Sequence, residues 1–219
     1  MWQSCIEKGV VQLVVPGTQK DFFARQITVC EQHPCWHLAL GLHPYFSDQH
    51  SQQHLTDLAT AIHQYKPIAV GEIGLDFALD TELGGFSKVQ QEMWFVDQVK
   101  LAQTSHLTLI IHSRKANDRL GQLLMQLKFD QGGIVHGFSG SLQQVQKFTQ
   151  LGFKIGLGGN LTYDRAQATR RLAKALPLTD IVLETDATDM PMAVQSQDQV
   201  NQPDLLPRVL AVLAELRQE

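Results

Sequence analysis

Residues 107–114 read Leu-Thr-Leu-Ile-Ile-His-Ser-Arg. The first five are almost wholly apolar and rich in β-branched residues, without the alternation of a strand that has one wet face. A short continuous run of this kind suits a strand covered on both sides, as in a parallel sheet. It then stops at three polar residues, His112, Ser113 and Arg114. Six further runs have the same form: Val10–Val15, His37–Leu42, Ile68–Ile73, Ile134–Val135 with its flanks, Phe153–Leu157 and Ile181–Leu183.

Between the runs lie amphipathic stretches. Val89, Met93, Val96 and Val99 recur at helical spacing and predict the buried face of one helix. Ser141 is placed to cap another, with Leu142, Val145, Phe148 and Leu151 on one broad face and Gly152 as terminator. Leu205–Leu216 predicts a last helix. Strand and helix alternating in this way predict a parallel α/β fold.

An open doubly wound sheet and a barrel both satisfy that pattern, and the polar residues choose between them. His43 follows the second run, Glu72 lies in the third, and His112 and His136 close the fourth and fifth. Asn160 follows Gly-Leu-Gly-Gly, and Asp186 follows the seventh. An open sheet spreads such groups along a line, whereas a barrel gathers them at one mouth, where such enzymes place their chemistry. The expectation is a TIM-type (β/α) barrel in one domain spanning residues 1–219.

The 219 residues are 43% apolar and 18% charged, with a formal net charge of −4. That composition excludes a disordered chain and gives no general attraction for a polyanion. Glu7 and Lys8 interrupt the N-terminal apolar stretch, so no secretory leader is read there. No apolar run reaches the ~18 residues of a membrane span. Cys5, Cys30 and Cys35 form no Cys-x-x-Cys pair and fit a reducing cytoplasm. His50 and His54, at i, i+4 spacing in a Gln-rich stretch, are read as a solvated helix face.

Glu72, His112, His136 and Asp186 form the candidate metal cluster. Two imidazoles and two carboxylates gathered at one place are costly unless a cation or a hydrogen-bond network compensates them. A divalent ion does so, makes water nucleophilic near neutral pH and polarises the oxygen under attack. Asp186 can orient or deprotonate that water, and Glu72 shares the catalytic work. Zinc, manganese and magnesium all suit these donors, with one or two ions per chain. The Gly-rich GLGGN stretch lacks the GxGxxG order of a dinucleotide site.

Several blocks are similar, in order, to those of the TatD-type metal-dependent hydrolases and deoxyribonucleases. They are GLHP (41–44), GEIGLDF (71–77), IHSR (111–114), HGFSGS (136–141), GLGGN (156–160) and LETDA (183–187). HGFSGSLQQ and Asp189–Pro191 resemble most the YjjV-like branch. The resemblance implies a distorted TIM-type barrel, a two-metal site and hydrolysis of DNA phosphodiesters. It further implies that Glu72 bridges two ions, that His112 and His136 hold one, and that Asp186 helps to hold the other. His43, Ser113 and Arg114 are implied as substrate-binding residues, Arg114 as a phosphate contact. Hydrolysis of another ester or amide, such as an aminoacyl-tRNA bond, and an impaired scaffold protein are the alternatives. No stable protein partner is expected.

The family opens with a strand ending in His-x-His, and no His-x-His occurs among the nine histidines here. The expectation is therefore an incomplete barrel that lacks its first strand, is shortened at both ends, and holds its second ion weakly. Its open edge makes self-association an expectation. A longer gene product is the favoured explanation of the gap. The family's Asn-x-Pro element reads Asn201-Gln202-Pro203, with Gln where Arg is usual.

Overall fold

The computed structural model describes residues 1–79, 85–193 and 200–219. All seven apolar runs form strands: β1 (Leu13–Pro16), β2 (Trp36–Leu40), β3 (Ala69–Asp76), β4 (Thr108–Arg114), β5 (Gly133–Val135), β6 (Phe153–Leu157) and β7 (Ile181–Leu183). They make one parallel sheet whose spatial order is the chain order, β1 to β7. A doubly wound sheet reverses direction at a switch point. Here every crossover steps the same way, so right-handed connections put the helices on one side and curl the sheet into a half-barrel. Among the described residues β7 does not pair with β1.

The helices are α1 (Trp2–Glu7), α2 (Phe23–Gln32), α3 (Gln52–Tyr65), α4 (Lys88–Ser105), α5 (Asn117–Gln126), α6 (Leu142–Gln150), α7 (Gln167–Ala175) and α8 (Leu206–Arg217). Leu40, Ile73, Leu109, Ile111, Phe95, Phe148 and Phe153 lie in one core between strands and helices. β3 is buried along all eight residues, as a central strand should be. β1, at the edge, exposes Val14 and carries Pro16, whose missing N–H costs an edge strand nothing. Ser4 and Lys8 both bond Oδ2 of Asp204, at 2.6 and 2.7 Å, tying α1 to the turn before α8.

Two expected helix faces need correction. Val89 and Met93 are exposed, and α4 instead buries Gln91, Phe95, Gln98, Val99 and Ala102. An apolar pattern misses this face because two of its members are glutamines, buried because they bond backbone. In α6 the Ser141 cap forms a reciprocal capping box with Gln144, and Val145 and Phe148 are buried as expected, but Leu142 is exposed. Gly152 ends that helix at φ +81, a backbone state that suits glycine.

Candidate metal centre

Parallel strands aim their C-terminal ends the same way, and the polar residues at those ends meet. Glu72 sits in β3 where its register against β4 shifts between Val70 and Ile73. Such a bulge re-aims a side chain, and the Glu72 carboxylate is buried at the centre of three imidazoles. Its Oε1 lies 3.0 Å from Nε2 of His43, 3.4 Å from Nδ1 of His112 and 2.5 Å from Nε2 of His136. Burial opposes the charge on Glu72, but His136 and the hydrogen bonds from all three rings hold it well below the usual carboxylate range. Burial likewise disfavours a charged His136, yet Glu72, with Glu184 and Asp186 further off, raises that ring to about 10.

His112 Nδ1 and His136 Nε2 are 3.1 Å apart, both directed at the same carboxylate oxygen. Two ring nitrogens converging with a carboxylate are the donor set of a divalent cation. The far nitrogen of each ring faces a second carboxylate. Asp76 Oδ2 is 3.3 Å from His112 Nε2, and Glu184 Oε1 is 4.0 Å from His136 Nδ1. Outer carboxylates of this kind fix a ligand ring's tautomer and raise its basicity.

Donor atoms fall into two groups, each within 4.8 Å: His43, Glu72 and His112, and Glu72, His136 and Asp186. Glu72 belongs to both. Asp186 thus lies within reach of both Glu72 and His136, the ring that the family resemblance gives to the other ion. Its backbone has φ +50, and burial raises its carboxyl pKa. The buried side chain of Asn201 holds the loop that carries it, donating to the carbonyls of Thr185 at 2.6 Å, Met190 at 3.4 Å and Asp189. The donors present fit a divalent ion.

The remaining expected residues lie around this cluster. His43 is buried, its Nδ1 accepting the Tyr45 N–H at 3.0 Å. Ser113 turns its hydroxyl to Asn117 on α5. Arg114 is exposed, 3.8 Å from Asp76. His50 and His54 do not form a solvated face. His50 stacks on Trp94 and hydrogen-bonds the His43 carbonyl at 2.9 Å, because the loop after β2 folds back onto α4.

Asp76 and Glu184 were not singled out from the sequence, although GLDF and LETD contain them. The available signal was nearness in the chain: Glu184 lies two residues before Asp186, and Asp76 four after Glu72. Burial pushes Glu184 up to about 7 against the pull of His136 and the Gly137 N–H. A Cβ on Gly156 would collide with that carboxylate, which explains one glycine of GLGGN.

The family model described as TatD related DNase matches residues 1–219. An uncharacterized metal-dependent hydrolase, YjjV of Escherichia coli, is 43% identical over 99% of this chain and 83% of its own. The crystal structure of E. coli YjjV, a TatD homologue, superposes with a TM-score of 0.93, over 99% of this chain and 83% of that one. A 3′-5′ ssDNA/RNA exonuclease TatD of Pantoea is 29% identical over 97% of this chain and 83% of its own. A match along the whole chain and a relative this similar place the protein in the TatD family of metal-dependent hydrolases.

Proposed function

We propose that this protein hydrolyses phosphodiester bonds in nucleic acid, DNA foremost, with one or two divalent ions. The observation that carries the reading is the convergence of His112 and His136 on one oxygen of buried Glu72. The exonuclease name of the Pantoea relative supports the substrate class.

Glu72, His112, His136 and Asp186 would hold the metal, which when bound makes water nucleophilic at neutral pH and polarises the phosphoryl oxygen. His43 has a different role. Its Nδ1 accepts the Tyr45 N–H, so a neutral ring carries its proton on Nε2, the atom that faces Glu72. That N–H donates to Glu72 Oε1 at 3.0 Å, and the ring sits beside the cluster as a substrate contact. Asp186, its carboxyl raised by burial, can take the proton of the attacking water. Arg114 lies at the mouth, exposed, where a guanidinium meets a phosphate in bidentate fashion. Ser113, bonded to Asn117, sits beside it as a substrate contact.

Hydrolysis of end-labelled single-stranded DNA with added magnesium or manganese tests the reading, with Glu72→Ala alongside. The reading requires cleavage that chelator abolishes and that the variant loses while retaining its circular dichroism spectrum. A variant that cleaves as well as the parent, or a parent that is inert with every metal, contradicts it.

A further inference from the structure

Beyond the C-terminal ends of the strands, two cations lie over aromatic rings, one at the start of α4 and one in the loop after β6. Phe77 follows β3 directly, and Lys88 Nζ lies 5.2 Å from its centroid. Tyr163 stands in the loop after β6, and the Arg165 guanidinium carbon lies 4.6 Å from its centroid. Both rings are half-buried and both cations exposed. Neither cation is in a salt bridge among the described residues. The Tyr163 hydroxyl donates to the Pro191 carbonyl at 3.0 Å, which fixes the pair against the loop bearing Asp186.

Phe77 follows β3 and Tyr163 lies after β6, and the strands that lead to His112 and His136, β4 and β5, run between them. A polymer with alternating phosphates and planar bases supplies partners for both pairs, a phosphate for each cation and a base for each stacked face. The floor of the mouth is acidic, with Glu72, Asp76, Glu184 and Asp186, so cations at its rim supply the attraction that a chain of net charge −4 lacks.

We propose that Tyr163–Arg165 and Phe77–Lys88 are two subsites that hold a single-stranded polynucleotide on either side of the metal centre. The guanidinium held over Tyr163 presents its outer face to a base, and Lys88, its stem lying on Phe77, meets a phosphate. This deepens the phosphodiesterase reading and rests on it for the identity of the scissile bond. The binding itself does not need turnover.

The test uses a fluorescein-labelled oligothymidylate of about 12 nucleotides, within the span such grooves cover. Its binding to the full chain is read by fluorescence polarisation in chelator. Hydrolysis of the same oligomer and of bis(p-nitrophenyl) phosphate is then measured with manganese. Arg165→Gln and Lys88→Gln should each weaken oligomer binding and raise its KM by about tenfold. The logarithmic salt dependence of binding should fall by about 0.7 when Lys88 is replaced. Turnover of the small ester and the urea midpoint should not change. Oligomer binding unaltered in both variants overturns the subsites. Failure of the parent to cleave either ester, with oligomer binding still lost in the variants, removes the phosphodiesterase reading and leaves the subsites standing.

Discussion

The side-chain amide of Gln98 closes on both polar groups of Leu42, accepting its N–H at 2.7 Å and donating to its carbonyl at 3.1 Å. Two turns earlier on α4, Gln91 does the same for Asp76, at 2.9 and 3.1 Å. Each glutamine thus supports the backbone at a site position, His43 being the next residue after Leu42. Replacing Gln98 by Leu leaves a buried N–H and a buried carbonyl without partners, a cost of about 1–3 kcal/mol per group. The Gln98→Leu urea midpoint should fall accordingly and turnover should drop with it. A variant as stable and active as the parent would show that the bracket does nothing.

Asp76 Oδ2 lies 3.3 Å from His112 Nε2, and on the proposed reading it orients that ring from outside the ligand set. Asp76→Asn keeps the shape but weakens the acceptor that raises the basicity of the ring. Loss of such outer partners typically costs about 10–100-fold in metal affinity. Manganese titration by calorimetry should show that loss in a protein whose unfolding transition is little changed. Unaltered affinity would mean that His112 needs no such support.

On the proposed reading, proton and metal compete for His136. In the metal-free chain Glu72 raises this ring from 6.5 to about 10, with burial acting against it. Its contribution to stability is therefore complete below about 6.5 and is lost as the pH rises through about 10. Metal binding must expel the same proton, so affinity should rise over that window while metal-free stability falls. Urea unfolding in chelator and metal titration at matched pH values read the two trends. Parallel trends, both rising or both falling, would contradict this account.

Asn201 is the anchor of the Asp186 loop. Asn201→Leu strips the Thr185, Asp189 and Met190 carbonyls of their donor, at about 1–3 kcal/mol for a buried group. A loop freed in this way no longer holds Asp186 beside His136. The expected result is fewer manganese ions bound per chain and a lower kcat, read by electron paramagnetic resonance and steady-state kinetics. Unchanged stoichiometry with unchanged kcat would rule out an anchoring role.

The strands and their parallel order were legible because burial on both faces leaves near-continuous apolar runs, such as Leu107–Ile111, that need no long-range information. Glu72, His112, His136 and Asp186 stood out in the sequence as ionisable residues within or just after those apolar runs. What the sequence hid was produced by tertiary contact. Gln91 and Gln98 look like surface residues until the peptide groups they satisfy are in place. His50 looked solvated in its Gln-rich neighbourhood, but Trp94, over forty positions away, covers it. The register shift at Glu72 has no local signature, and the approach of Asp186 to His136 depends on a loop held by Asn201.

The central claim is that Glu72, with the rings converging on it, holds a divalent ion. Manganese binding to metal-depleted protein, measured by electron paramagnetic resonance for the parent and for Glu72→Gln, tests it most directly. The account predicts at least one bound ion per chain in the parent, and a loss in Glu72→Gln larger than the about 10–100-fold that follows disturbance of an outer partner. Equal affinity in the two proteins would contradict it and make the buried carboxylate and its three imidazoles a hydrogen-bonded structural network.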